Sequence, residues 1–155
     1  MSTIGLSKET SVKVADSLNE LLADYHIFYM NVRGFHWNIK GHKFFVLHEK
    51  FEELYDDLFE KIDEVAERVL TLGQSPKHAY SNYLKVSKVK EATDISDAEG
   101  TVSSILDSFE VIIEKQREIL DLTDELEDEG TNALMSDYIS EQEKLVWMYS
   151  SFLGK

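Results

Sequence analysis

The sequence contains no cysteine, one proline and only seven glycines among its 155 residues. Without cysteine, the chain forms no disulfides, thiolate nucleophiles, iron–sulfur clusters or zinc sites with cysteine ligands. Proline and glycine are too few for the turns of a sandwich or barrel built from many short strands. No apolar run reaches the length of a membrane span, and the first residues lack the apolar stretch of a signal peptide. We therefore expect a helical, cytoplasmic protein.

Positive charge is also scarce. The 16 Lys and Arg residues stand against 30 Asp and Glu residues, which gives a formal net charge of −14. A surface of this kind repels polyanions and suits metal cations. The hydrophobic fraction of 43% is enough to bury a core, and the length predicts a single domain over residues 1–155.

Apolar residues recur at steps of three and four in four long segments, which predicts four amphipathic helices. The first is expected from Ser7 to about Asn38. Gly41 interrupts the pattern, and the second helix is expected to end at Gly73. These two helices are predicted to be of similar length.

A long connection follows the second helix. Residues 74–95 contain Pro76, several serines and four lysines, and we expect a crossover with a short helix near residues 80–84. Ser96 and Glu99 have the spacing of a capping box at the start of the third helix.

The third helix is expected to end near Gly130, and apolar residues from Leu134 to Phe152 predict the fourth. Two antiparallel pairs joined by one long crossover between the second and third helices are typical of the ferritin-like four-helix bundle. The predicted fold is therefore all-α.

Two of the five histidines stand in positions suited to a metal site. His36 and His48 lie at the two ends of the turn between the first helices, and Glu52 follows His48 by four residues on the same helical face. Asp63 and Glu67 form a second pair at this spacing. Imidazole and carboxylate groups together suit iron, manganese or zinc. Taken alone, such carboxylates are more typical of a solvated acidic helix surface.

His26, His42 and His78 have no comparable partners in the sequence and are expected to be structural or simply exposed. None of the five histidines has a glutamate three residues before it. The Glu-x-x-His motif of a di-iron site inside one bundle is therefore absent.

Helix geometry limits how the candidate ligands combine. His48 and Asp63 are fifteen positions apart, which corresponds to about 22 Å along one helix. They cannot bind one ion within one chain. If the five residues form a single site, a second subunit must place its second helix antiparallel to the first across a two-fold axis.

Short motifs along most of the chain add a family resemblance. They are His36-Trp37-Asn38, Gly41, Phe44, His48, Phe51, residues 63–68, Leu72-Gly73, Pro76, Tyr83-Leu84, residues 90–92 and residues 145–148. Together they resemble the Dps-type mini-ferritins, the DNA-protecting proteins of starved bacterial cells.

This resemblance implies a hollow, tetrahedral homo-dodecamer with ferroxidase centres at its two-fold interfaces. By resemblance, His36, His48 and Glu52 come from one subunit, and Asp63 and Glu67 come from its partner. The family most often has Asp where Glu52 stands. The implied activity is oxidation of Fe²⁺, preferably by hydrogen peroxide, with storage of the ferric mineral and protection against oxidative stress.

Two further features have both a functional and a plain interpretation. The family places Trp37 close to the iron centre, although a partly buried aromatic residue also suits an interface. Residues 121–129 contain six acids and no base, and the family places acidic pores near this point. Asp128 and Glu129 are the candidates for a pore, but such a run is most often a solvated helix end.

Two other functions fit the same residues. One is a non-enzymatic protein that packs DNA, with a metal ion only holding the dimer together. Another is an interface occupied by zinc without redox turnover. We expect weak or absent DNA binding, because the first twenty residues carry a net charge of −1 and the one basic stretch, residues 77–90, has only four lysines.

Overall fold

The computed structural model describes residues 2–155, and within this range it contains five helices and no strand. The helices are α1 (Lys8–Asn38), α2 (Phe44–Thr71), α3 (Tyr80–Val86), α4 (Ala98–Glu125) and α5 (Glu129–Phe152). Helix α1 packs against α2, α3 and α4, and α4 packs against α5. The predicted ferritin-like four-helix bundle with a short crossover helix is confirmed.

The predicted apolar stripes form the bundle core. Their buried members include Leu18, Phe28, Phe51, Leu58, Phe109, Ile112 and Met135. Removing these side chains from water is the main favourable contribution to the folded state. Because the apolar stripes face the core, the opposite faces of the helices are exposed to solvent. The candidate ligands Glu52, Asp63 and Glu67 lie on such an exposed face of α2.

Helix α2 ends in a Schellman motif. Gly73 has a φ of 78°, its N–H donates to the Leu70 carbonyl, and the Gln74 N–H donates to the Val69 carbonyl. Glycine adopts this left-handed conformation without the strain of a Cβ atom. The sequence pattern that predicted the end of the helix therefore had a direct physical basis.

The crossover is fastened to α1 by buried polar side chains. The Asp24 carboxylate accepts a hydrogen bond from the Lys88 N–H at 2.8 Å, and burial raises the pKa of Asp24. The Asn31 amide accepts from the Ala92 N–H and donates to the Lys90 carbonyl. These bonds hold residues 88–92 against the middle of α1.

Two predicted boundaries of the later helices are wrong. The residue that caps α4 is Asp97, whose carboxylate accepts from the Gly100 N–H, and Ser96 lies outside the helix. The helix ends at Glu125 instead of near Gly130, because Glu127 adopts the left-handed conformation with a φ of 59°. Glycine normally occupies this position, so no residue pattern signals the turn.

Asp128 is the buried cap of α5. It is 1% exposed, and its carboxylate accepts from the Thr131 N–H and hydroxyl and from Arg68 Nη2 at 2.9 Å. The expectation that Asp128 offers a free carboxylate to a pore is therefore wrong, because its oxygens already serve the helix start and the Arg68 guanidinium. Glu129 is exposed, and its suggested role in a pore stays a prediction.

Hydropathy gives no candidate for membrane insertion: across residues 2–155, every helix is too short or too polar to cross a bilayer.

Candidate metal centre

His36 and His48 face each other across the turn between α1 and α2. His36 Nδ1 lies 2.6 Å from the His48 carbonyl oxygen, and His48 Nδ1 lies 2.7 Å from the His36 carbonyl oxygen. The two rings stack at 3.8 Å between centroids with an angle of 12°. Phe44, in the first turn of α2, stacks on the other side of His48 at 4.8 Å. The turn therefore brings the two imidazoles into one fixed pair.

These reciprocal bonds determine the tautomers of His36 and His48. A carbonyl oxygen can only accept, so each Nδ1 donates its proton. In the neutral ring the lone pair then belongs to Nε2, which is the atom available to a metal ion. His36 is only 7% exposed, so its orientation is also set by packing.

Glu52 lies one helical turn beyond His48 on α2, and its side chain is exposed. Its Oε1 accepts a hydrogen bond from the Tyr55 hydroxyl at 3.3 Å. Burial raises the pKa of Tyr55, and the Glu52 and Asp56 carboxylates raise it further, which keeps the phenol protonated as a donor. The Tyr55 ring also meets His36 edge-on at 5.3 Å. One tyrosine thus contacts two of the candidate ligands.

Arg33 lies among three aromatic rings beside this pair. Its Cζ atom is 4.9 Å from the centroid of Tyr55, 5.0 Å from that of Trp37 and 5.7 Å from that of Tyr29. Sequence patterns did not select Arg33 or Tyr55, because neither is a usual metal ligand. Their only signal is spacing: Arg33 is three residues from His36, and Tyr55 is three residues from Glu52, so each shares a helix face with a candidate ligand.

Asp63 and Glu67 lie on the same exposed side of α2 but nearer its C-terminal end. Because α2 is continuous from Phe44 to Thr71, the separation of about 22 Å between His48 and Asp63 is maintained. Within residues 2–155 of one chain, no three His, Asp or Glu side chains converge on a common metal position. One subunit therefore presents two separate groups of candidate ligands.

The centre of the bundle holds a neutral hydrogen-bond network instead of acidic ligands. The buried Tyr25 hydroxyl donates to Gln116 and accepts from Gln142 Nε2 at 2.7 Å. Gln116 Nε2 donates to the Gln142 side-chain oxygen at 2.7 Å. The three side chains thus satisfy one another by hydrogen bonds within the core.

The three remaining histidines lie in different parts of the chain: His26 within α1, His42 in the turn between α1 and α2, and His78 in the connection before α3. His26 is half-buried and stacks on Tyr83 of α3 at 4.1 Å. Burial lowers the pKa of His26. His42 and His78 are exposed.

Large apolar side chains surround the candidate ligands on the outer face of α2. Phe45, Phe59 and Leu70 are 82%, 62% and 57% exposed, and their spacing places them on one stripe with His48, Glu52 and Asp63. We call this face the ligand stripe. Trp37 of α1, beside it, is 57% exposed and not buried in the isolated subunit. Apolar surface of this extent typically marks an interaction site.

Comparisons with known proteins agree with this fold. The ferritin family model, described as a ferritin-like domain, matches residues 15–155. The chain is 46% identical to the DNA protection during starvation protein of Porphyromonas gingivalis, over 100% of this chain and 98% of that protein. It is 55% identical to an uncharacterized protein of Haemophilus influenzae, over 97% and 94% of the two chains.

The crystal structure of the Dps protein of Vibrio cholerae O1 superimposes with a TM-score of 0.97, at 54% identity over 99% of this chain and 96% of that one. That protein is described as a member of a broad superfamily of ferritin-like diiron-carboxylate proteins. The chain therefore belongs to the Dps-type mini-ferritins, a family of iron-storing proteins with the ferritin-like fold.

Proposed function

We propose that this protein is a cytoplasmic ferroxidase that oxidises Fe²⁺ with hydrogen peroxide at sites between subunits and stores the ferric product inside a hollow dodecamer. His36, His48 and Glu52 of one subunit and Asp63 and Glu67 of its partner are the proposed ligands. One observation carries the proposal: a single continuous helix, α2, presents the two groups of ligands at matched spacing on one apolar-rich face.

The matched spacing defines one register for two antiparallel α2 helices. His48 and Glu52 are four residues apart, as are Asp63 and Glu67, so His48 opposes Glu67 when Glu52 opposes Asp63. Both pairs are centred between residues 57 and 58. This point is also the midpoint of α2, which runs from Phe44 to Thr71, so the two helices overlap along their whole length. A two-fold axis there creates two identical sites.

The same register suits the apolar members of the ligand stripe. Phe45 and Leu70 oppose each other at both ends of the helix pair, and the two copies of Phe59 approach each other next to the axis. Burial of these exposed side chains supplies a favourable association free energy. The apolar residues of the proposed dimer contact and the proposed iron ligands of α2 thus lie on the same helix face.

The chemistry follows from these donors. Carboxylate oxygens favour the ferric state because anionic ligands stabilise the higher charge, and the Nε2 lone pairs of His36 and His48 complete a donor set suited to iron. Two Fe²⁺ ions each give one electron to one hydrogen peroxide. The O–O bond breaks, two protons are taken up, and two waters form. No hydroxyl radical is released, because the two electrons are supplied together.

A second apolar surface supports assembly beyond the dimer. A groove of about 490 Å³ lies between α2 and α5, on a different side of α2 from the ligand stripe. Its apolar lining includes Val46, Leu54, Leu145, Met148 and Phe152. Two distinct contact surfaces on one subunit allow dimers to join into a closed shell, in which the formal charge of −14 per subunit favours entry of cations.

The test of the proposed activity is anaerobic loading with Fe²⁺, followed by additions of hydrogen peroxide. We expect the ferric absorbance to reach its maximum at one peroxide per two Fe²⁺, with no hydroxyl radical in a spin-trapping assay. Zn²⁺ and Mn²⁺ fit the same donors, and prior loading with Zn²⁺ is expected to slow the oxidation. A stoichiometry of one peroxide per iron, with trapped radical, would contradict paired oxidation.

We expect DNA binding to be weak or absent at physiological salt. The four lysines of residues 77–90 are exposed, but they belong to a subunit with a net charge of −14, which repels phosphates. A plasmid gel-shift titration at about 150 mM salt without divalent cations checks this. Retardation at sub-micromolar protein that disappears when Lys77, Lys85, Lys88 and Lys90 are neutralised would favour a DNA-packing role instead.

A further inference from the structure

The aromatic cage around Arg33 lies next to the proposed iron site, and two of its rings, Tyr29 and Tyr55, also pack against the bundle core. Arg33 Nη1 donates to the Tyr29 hydroxyl at 2.9 Å, whereas Nε is buried and has no hydrogen-bond partner among residues 2–155. A buried N–H without a partner is unfavourable. The cation–π contacts of the guanidinium with Tyr29, Trp37 and Tyr55 therefore hold this side chain in place.

Tyr55 connects the cage to the proposed ligands. One face of its ring lies under the Arg33 guanidinium, and the ring meets the His36 imidazole at an angle of 79°. Its hydroxyl donates to Glu52 Oε1. Glu52 is exposed on α2 and has several rotamers available, so this hydrogen bond draws its carboxylate toward the side of the helix on which His36 lies.

We propose that Arg33 is a positioning residue for the iron site and acts through Tyr55. The guanidinium fixes the Tyr55 ring, and the phenol hydroxyl then holds the Glu52 carboxylate beside His36 and His48. This inference rests on the proposed function. The proposal depends on the length of the Glu52 side chain, whose Oε1 accepts the hydrogen bond from the Tyr55 hydroxyl.

The role is one of position and not of charge. A cation beside an Fe²⁺ site would by itself weaken metal binding. Arginine combines a planar surface that stacks on rings with several donors, whereas lysine keeps the charge but loses the stacking plane. If position is what matters, both Arg33→Lys, which keeps the charge, and Arg33→Gln, which removes it, weaken metal binding.

The test is anaerobic titration of the assembled protein with Co²⁺ alone, using its d–d absorption to report both affinity and ligand geometry. We expect Tyr55→Phe to raise the Co²⁺ dissociation constant about tenfold, at the lower end of the range for partners of metal ligands. Arg33→Gln and Arg33→Lys should each raise it about threefold. The exposed Arg117, which pairs with Glu143, provides the matched control, and Arg117→Gln should leave the dissociation constant unchanged.

Double variants separate positioning from general destabilisation. In a Glu52→Asp background the carboxylate ends one methylene nearer the helix, so Tyr55→Phe should change the dissociation constant less than about twofold. In a Tyr55→Phe background, Arg33→Gln should have no further effect. Equal losses from Tyr55→Phe with and without the Glu52→Asp substitution, or an Arg33→Gln effect that persists without the Tyr55 hydroxyl, would overturn the inference.

A different result of the Co²⁺ titration is expected if the proposed function itself is wrong. Co²⁺ binding that is unaffected by His36→Gly together with His48→Gly would show that the ion binds elsewhere. The inference about Arg33 would then fall together with the site. If the histidine variant loses Co²⁺ while the double variants show no coupling, only the inference about Arg33 is wrong.

Discussion

Replacing His36 and His48 together by glycine is expected to reduce the rate of Fe²⁺ oxidation at least about a hundredfold, with the assembly intact. His36 is buried, but neither imidazole belongs to the apolar stripes that form the core, and their Nε2 atoms are the only nitrogen donors in the proposed site. The measurement is stopped-flow ferric absorbance after peroxide addition, with light scattering as the control for assembly. Unchanged kinetics would remove both residues from the site.

Asp63→Ala should reduce the rate of Fe²⁺ oxidation to the same extent, because Asp63 is the proposed ligand from the partner subunit. Mixing this variant with the double histidine variant tests whether the site is shared between two subunits. In a mixed dimer, one site combines both defects and the other combines two intact halves. Random exchange of equal amounts therefore restores about a quarter of the sites. No recovery after exchange has been verified would mean that the ligands do not come from two subunits.

Phe59→Asp is expected to prevent assembly and to abolish rapid iron oxidation at the same time. In the proposed register the two Phe59 side chains lie next to the two-fold axis, so the substitution brings two carboxylates together in an apolar contact. Burying a charge there carries a penalty of several kcal/mol per ion. Light scattering should report a small species, while circular dichroism retains its helical signal because Phe59 is 62% exposed.

Ile4→Asp is the matched control for this experiment, since Ile4 is another exposed apolar residue but precedes α1. It should leave the assembly and the oxidation rate unchanged. A Phe59→Asp protein that still forms the large assembly and oxidises iron rapidly would show that the ligand stripe is not the dimer contact.

The helices were predictable wherever a repeated physical pattern determined them. Steps of three and four between apolar residues located α1 and α2, and Gly73 marked the end of α2 because glycine suits the left-handed turn. The crossover with its short helix was expected from Pro76, the serines and the lysines of residues 74–95. Each of these features depends on residue types whose preferences are strong.

The end of α4, which was predicted wrongly, depends on a contact between distant residues and on an unusual backbone conformation. The turn after α4 depends on Glu127 in a conformation that glutamate seldom adopts, and it is stabilised by the ion pair between Arg68 and Asp128, sixty positions apart. Local sequence does not reveal such a contact. The spacing of His36, His48 and Glu52 was visible, but the supporting positions of Arg33 and Tyr55 depend on how α1 packs against α2.

The distance between the two ligand groups along α2 has a consequence for the newly made subunit. Under the proposed function, each free subunit carries only incomplete sites, so iron oxidation requires two chains to associate and is lost when dilution separates them. In that case, ferric ions are produced only where a partner subunit is already bound. The placement of complementary ligand groups at the two ends of one helix would thus couple the start of iron oxidation to formation of the dimer, the first step toward the proposed shell.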